Sequence, residues 1–178
     1  MSDFHNLIVN RRSIRRYTEE EINPEDVKTI LEAALMAPSS KSTRPWHFVV
    51  VEDSAVLEAL SKCKEHGAGP VAGCSLAIVV AVDVEATDPW IEDAAIAATY
   101  IQLQAQDLGL GSCWIQLRGR YTANDMESET YVQNLLEMPD IILPVCIITL
   151  GHKAEERKPQ ATDKLLWEKV HIGTWKER

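Results

Sequence analysis

No apolar run in this 178-residue chain approaches the roughly 20 residues that a membrane-spanning helix needs. The start, Met1-Ser2-Asp3-Phe4-His5, lacks the basic region followed by an apolar stretch that marks a signal peptide. Positive charge is scarce: 18 Lys and Arg stand against 27 Asp and Glu, giving net charge −9 and a pI near 5.0. That balance argues against general binding to nucleic acid or to an anionic membrane surface. Cysteine is sparse, with residues 63, 74, 113 and 146 only, and no pair has metal-ligand or Cys-x-x-Cys spacing. Cys113 and Cys146 sit in apolar runs, where cysteine acts as a small buried hydrophobe. A reduced, cytoplasmic protein is the expectation. Gly-x-Ser-x-Gly, His-Glu-x-x-His and Walker loops are all missing, and the five histidines are scattered. An enzyme with neither a protein nucleophile nor a metal needs a cofactor to carry its chemistry.

What is present suits one domain over 1–178, large enough to bury a core. The chain is 46% hydrophobic and 25% charged, ordinary values for a globular domain, and it shows no repeat or low-complexity tract. Leu7 and Ile8 mark a short helix over 3–10. Asn23 as N-cap, Pro24 at the first helical position, and Glu25 and Asp26 in the first turn start a second helix. Its stripe is Val27, Ile30, Leu31, Ala34 and Leu35, and Pro38 stops it. Further helices are expected over 55–64, 90–108 and 129–138, the longest closed by Gly109. Strands are expected over 46–51, 76–82, 113–116 and 143–150. Gly67-Ala68-Gly69-Pro70 with Gly73 reads as a flexible break and lacks dinucleotide-binding spacing. Residues 121–128 read as polar and exposed. This is an α+β or α/β layer with helices over a small central sheet. The tail from His152 onward is charged but carries two tryptophans, so it is expected to pack on its own domain or on a partner chain.

Against the global charge stands Arg11-Arg12-Ser13-Ile14-Arg15-Arg16, with four of the 18 cationic residues in six positions. Two readings are open. One is a solvated cationic turn paired with Glu19, Glu20 or Glu21. The other is an anion cradle, in which planar guanidiniums and the Ser13 hydroxyl meet phosphate oxygens. Pro38-Ser39-Ser40-Lys41-Ser42-Thr43-Arg44-Pro45-Trp46 reads as an ordered loop rich in hydrogen-bonding groups, placed at the mouth of a strand. The alternative for it is a plain helix-to-strand connector.

Four stretches together resemble the nitroreductase family of FMN-dependent oxidoreductases. Arg11 to Tyr17 is similar to the family's opening motif. Ala37-Pro38-Ser39-Ser40 with Pro45-Trp46-His47-Phe48 is similar to its second. Asp93-Ala94-Ala95-Ile96-Ala97 with Leu108-Gly109-Leu110-Gly111-Ser112-Cys113-Trp114 is similar to its third, and Gly151-His152-Lys153-Ala154-Glu155-Glu156 to its last. The resemblance covers nearly the whole chain. It implies a nitroreductase-like α+β fold, a mixed or antiparallel sheet of four to five strands flanked by helices. It also implies a homodimer with FMN at the subunit interface and NADH or NADPH as electron donor.

By the same resemblance, Arg11, Arg12, Ser13 and Arg15 hold the FMN phosphate, ribityl chain and pyrimidine edge. Pro38, Ser39 and Ser40 come from the other subunit to line the flavin ring, Ser42 is a further cofactor-binding position, and Trp114, Ile115 and Gln116 run beside the ring. Gly151 belongs to the same cofactor set. Lys158 is the candidate tail cation for the phosphate, with Lys153 and Lys164 as alternatives. Ser42 stands where many members have Asn, and Gln116 where some have an acidic residue. The implied reaction passes hydride from NAD(P)H through the flavin to a small acceptor such as a nitroaromatic or quinone, with no catalytic side chain. Two alternatives stay open: another flavin chemistry, such as dehalogenation or flavin modification, and a non-catalytic flavin binder or redox sensor.

Overall fold

The structure is a computed structural model and describes residues 4–175. Asp3, part of the expected first helix, and tail residues 176–178 lie outside the described residues. Five α-helices, α1 (Phe4–Asn10), α2 (Pro24–Leu35), α3 (Ser54–Leu60), α4 (Trp90–Asp107) and α5 (Ser128–Leu135), surround four strands. The strands are β1 (Trp46–Val51), β2 (Leu76–Asp83), β3 (Gly111–Gln116) and β4 (Ile142–Gly151). They form one sheet in the order β1-β2-β4-β3, every pair antiparallel. Of the sheets anticipated, the antiparallel one is realised.

Local chemistry explains the element ends. The Asn23 side chain accepts the Glu25 N–H at 3.0 Å, capping α2 beside Pro24. Asp53 caps α3 in the same way, accepting from Ala55 and Val56. Gly109 takes φ 81° after α4, a left-handed turn that glycine adopts without strain. Pro144 lies within β4, next to the register shift at Val80/Ala81 of β2. A bulge there spares the ladder the N–H that proline lacks.

Both faces of the sheet are covered, so β2 is buried almost throughout. On one face Ile78, Val80, Ile148 and Leu150 meet Ile30 and Ala34 of α2 and Ala94, Ala98, Ile101 and Ala105 of α4. The alanines thus serve the core, letting α4 lie close to the sheet. On the other face Ala77, Val79, Cys113, Ile115 and Ile147 meet Leu57 and Leu60 of α3 and Val132 of α5. Ala68 and Val71 join this second core. The 67–73 stretch is anchored to this core at Ala68 and Val71 while Gly67, Gly69 and Gly73 are exposed, and a short 3-10 turn at Gly69–Val71 carries Val71 inward.

Within 121–128 six of the eight residues are exposed, as expected, while Thr122 and Ser128 are buried. The segment folds back through Thr122 N–H to Met126 O and Ser128 N–H to Arg120 O, both 2.8 Å. Of the tail, residues 152–160 pair with the 9–18 segment, while Trp167 is 67% exposed, Ile172 91% and Trp175 78%. Among the described residues no helix is long and apolar enough to cross a membrane, and no His, Cys, Asp or Glu group is arranged to hold a metal.

Candidate functional site

The arginine run is laid along the sheet by backbone pairing. Arg11 N–H makes the last bond of the α1 end, to Leu7 O at 2.9 Å. The chain then extends, Ser13 bridges to Ser112 of β3 in parallel, and Ile14 N–H donates to Ser112 O at 2.9 Å. Ile14 turns inward and is 3% exposed. The Tyr17 hydroxyl donates to Ile14 O at 2.6 Å and lies 2.7 Å from Thr149 Oγ1. Burial pushes the Tyr17 phenol well above its ordinary range, against the Thr149 hydrogen bond, so it stays protonated.

Two glycines permit this close approach. A Cβ on Gly151 would lie 2.9 Å from the Tyr17 ring. A Cβ on Gly111 would lie 2.9 Å from both Cβ and Cγ2 of Ile14 and 3.1 Å from Lys153 Cγ. Gly151 is buried, so its visible role is to make room for Tyr17. Gly111→Ala must displace a β-branched side chain with little χ1 freedom. The expected cost is about 1–3 kcal/mol, read as a lower urea midpoint. An unchanged midpoint would show that the segment yields freely.

The stretch after β4 completes the wall. Tyr17 bridges Lys153 antiparallel, Thr18 N–H donates to His152 O, and Ala154 N–H donates to Arg16 O. This delivers Glu155 under the arginine run. Glu155 Oε1 accepts the Arg15 N–H at 2.7 Å, and Oε2 lies 3.0 Å from Arg157 and 3.5 Å from Arg16. The Arg15 hydrogen bond, aided by Arg157 and Arg16, outweighs desolvation and holds the Glu155 carboxyl below its ordinary value. Glu155, and not Glu19, Glu20 or Glu21, is thus the carboxylate paired with the run. Glu20 instead faces His152 at 3.8 Å.

Arg11, Arg12, Ser13 and Arg15 together line a polar cavity of about 270 Å³, closed by Arg157 and Gln160. Gln160 N–H donates to Val9 O at 2.8 Å, and Arg12 donates to the Lys158 carbonyl. Among the described residues no ion pair reaches the guanidiniums of Arg11, Arg12 or Arg15. The cavity is therefore a concentration of unbalanced cation in an acidic protein. Of the expected tail cations, Lys158 offers its backbone and Lys164 lines neither this cavity nor the next. Lys153 lines the adjoining cavity with Arg12 and Arg157. Arg157 and Gln160 were not singled out from the sequence. The signal was the motif's own continuation, Glu155-Glu156-Arg157-Lys158.

Beside this cavity β3 is an edge strand. Ser112 O points away from β4, since it accepts from Ile14. The period of two then turns the N–H and C=O of Trp114 and Gln116 outward as well. Ile115 is the exception among the predicted residues: its side chain is 1% exposed and belongs to the core. The Trp114 indole donates to Gln116 Oε1 at 2.9 Å, and Gln116 Nε2 donates to Arg118 O at 3.0 Å.

The 38–44 loop stands apart. None of Pro38, Ser39, Ser40 or Ser42 lines the arginine cavity of the same chain. Lys41, Ser42 and Arg44 have φ of 49°, 58° and 51°, left-handed values that each cost a non-glycine residue about 1–3 kcal/mol. Among the bonds that hold the loop are Ser40 N–H to Asp93 Oδ1 and Arg44 N–H to Ser39 Oγ, both 2.9 Å. Asp93 is 3% exposed. All four cysteines are buried and free; burial pushes Cys63 and Cys74 up to about 11, so they are not poised thiolates.

The architecture is thus an antiparallel α+β sheet with a cationic cavity at its edge. The profile described as "Nitroreductase family" matches residues 8–67 and 77–152. A solved FMN-dependent nitroreductase from Clostridium difficile R20291 is 45% identical, with TM-score 0.93 over 95% of this chain and 98% of that one. A protein of Archaeoglobus fulgidus, provisionally named NADH dehydrogenase/NAD(P)H nitroreductase, is 33% identical over 180 residues, 98% of this chain and 100% of its own length. A provisionally named nitroreductase from Desulfovibrio desulfuricans, crystallised in complex with FMN, is 27% identical, with TM-score 0.79 over 99% of each chain. The chain belongs to the nitroreductase family.

Proposed function

We propose that this chain is a cytoplasmic FMN-dependent oxidoreductase that passes hydride from NADH or NADPH to a small acceptor such as a nitroaromatic or quinone. The observation that carries this reading is the cavity of Arg11, Arg12, Ser13, Arg15, Arg157 and Gln160, set beside the outer edge of β3. The residues fit the cofactor. Three guanidiniums without ion pairs and a serine hydroxyl suit a phosphate dianion, whose charge-assisted bonds are the strong ones. The outward backbone groups of Trp114 and Gln116 suit the polar rim of a flavin ring. Bound FMN would supply two-electron redox chemistry, by which a hydride equivalent from a reduced nicotinamide would pass on, as two electrons with protons, to the acceptor.

This chain's residues position and polarise. Arg11, Arg12, Ser13, Arg15 and Arg157 are shared among the phosphate, the ribityl chain and the pyrimidine edge, and Glu155 fixes the Arg15 backbone. A cation near the ring, Arg15 foremost, stabilises negative charge that develops there. Pro38, Ser39, Ser40 and Ser42 of the partner subunit cover the flavin ring, which accounts for their distance from the cavity of their own chain. A single domain per subunit and a two-fold homodimer complete the reading. In support, Phe4, Ile8, Ile96 and Tyr100 and the tail's Leu165, Leu166, Trp167 and Ile172 are exposed apolar residues of the kind that partner chains cover.

The test is an absorbance spectrum of the purified protein under anaerobic conditions, before and after a nicotinamide. A flavin spectrum bleached by NADH or NADPH and restored by a nitroaromatic or quinone is expected, with a dimer mass by light scattering. Tight FMN without bleaching by either nicotinamide would favour a flavin binder. A folded monomer with FMN bound would overturn the shared site.

A further inference from the structure

The side chain of Gln116 is more constrained than its position on an edge strand requires. Its two partners each work in one direction only. An indole N–H donates and does not accept; a backbone carbonyl accepts and does not donate. Trp114 Nε1 donates to Gln116 Oε1 at 2.9 Å, while Gln116 Nε2 donates to Arg118 O at 3.0 Å. The pair therefore fixes the orientation of the amide. A neutral group with one acceptor end and one donor end satisfies both partners. A carboxylate satisfies only the indole and sets its second oxygen against the Arg118 carbonyl. Next along the chain, the Arg118 guanidinium lies over the Trp90 ring at 5.8 Å from the centroid, within cation–π range. A continuous brace thus runs from β3 to the start of α4.

The same residue presents its backbone at the outer edge of β3, as the Ile14–Ser112 bond and the strand period establish. The brace spans Trp114 to Arg118 and so holds that edge on both sides of residue 116. We infer that Gln116 is a positioning residue with two separable effects on a bound flavin. Its clamp fixes the edge N–H groups that meet the ring, and its neutrality keeps a like charge away from the ring when two electrons are added. This inference rests on the flavin reading above and adds to it the control of the flavin's reduction potential.

Two variants separate the effects. Gln116→Glu keeps the length and the indole contact but introduces a charge. Gln116→Met keeps the size and neutrality but loses both hydrogen bonds. Each is purified with FMN, and the two-electron midpoint potential is measured by anaerobic redox titration from pH 5 to 8, alongside the FMN dissociation constant.

Gln116→Glu is expected to lose about tenfold in preference for the reduced over the oxidised cofactor at pH 8. For a two-electron couple that is about 30 mV below the wild type. The gap should narrow toward pH 5, as the introduced carboxylate begins to take up a proton and lose its charge. Gln116→Met is expected to stay within about twofold of the wild-type preference while binding FMN roughly three- to tenfold more weakly, the worth of one modest hydrogen bond. A Gln116→Glu potential equal to wild type across the pH range would overturn the role of neutrality. A Gln116→Met dissociation constant equal to wild type would overturn the clamp. Wild-type protein that takes up no FMN would overturn the flavin reading itself, a result distinct from either.

Discussion

Arg11→Ala should weaken FMN binding by roughly ten- to a hundredfold, while Arg16→Ala should stay within about fivefold. The two residues are close in sequence, equally charged, and differently placed. Arg11 lines the polar cavity. Arg16 has a side chain 75% exposed and lies 3.5 Å from Glu155. The Glu155 side chain is only 7% exposed, but the Arg16 end is open to solvent, so the loss is expected near the surface-pair value of about 0–1 kcal/mol. Glu155 also keeps Arg157 and the Arg15 N–H when Arg16 is removed, so the wall of the cavity stands. A guanidinium bonded to phosphate in a cavity is worth roughly 1.5–3 kcal/mol. At about 1.4 kcal/mol per tenfold, that gives the stated range. FMN titrations of both variants at one ionic strength check it. A solvated cationic turn predicts small and similar effects. A larger loss for Arg16→Ala would mean that the motif is registered wrongly on this chain.

Much of the fold was legible where local chemistry decides structure. The run Trp46–Val51 is β-branched and bounded by Pro45, and the strand has the bounds read from the sequence. The α2 start was written in Asn23, Pro24, Glu25 and Asp26. Where long-range contact decides, the sequence was less informative. β3 begins at Gly111, ahead of the expected 113. Gly and Ser have no strand preference of their own; here pairing to Gly151 and Leu150 and the approach of Ile14 hold them extended. Residues 121–128 are mostly exposed, as their composition suggests, but composition does not reveal that the segment folds back on Arg120 and buries Ser128.

The site shows the same division. The anion cradle could be suspected from four arginines in six positions, but its offsetting charge could not. Glu155 is 140 residues from Arg15, and the pairing of Tyr17 with Lys153 is what joins them. Arg157 escaped notice for the same reason, since only the antiparallel bridge turns it toward the run. Ile115 enters the site reading through the resemblance, and alternation along the strand sends its side chain into the core. Gly151 likewise belongs to the motif through packing: its missing side chain is the space that Tyr17 fills.

The central claim is that the arginine cavity is built for a phosphate carried by a flavin. Riboflavin offers the same ring and chain without that group. At neutral pH the phosphate carries about −1.5 to −2 charge, and two charge-assisted bonds of roughly 1.5–3 kcal/mol each would separate the ligands by about a hundredfold or more. Fluorescence titration of the flavin-free protein with FMN and with riboflavin, at fixed ionic strength, measures that separation directly. The expected result is FMN tighter by at least about a hundredfold, the gap narrowing as salt rises. Equal affinity for the two would contradict the account.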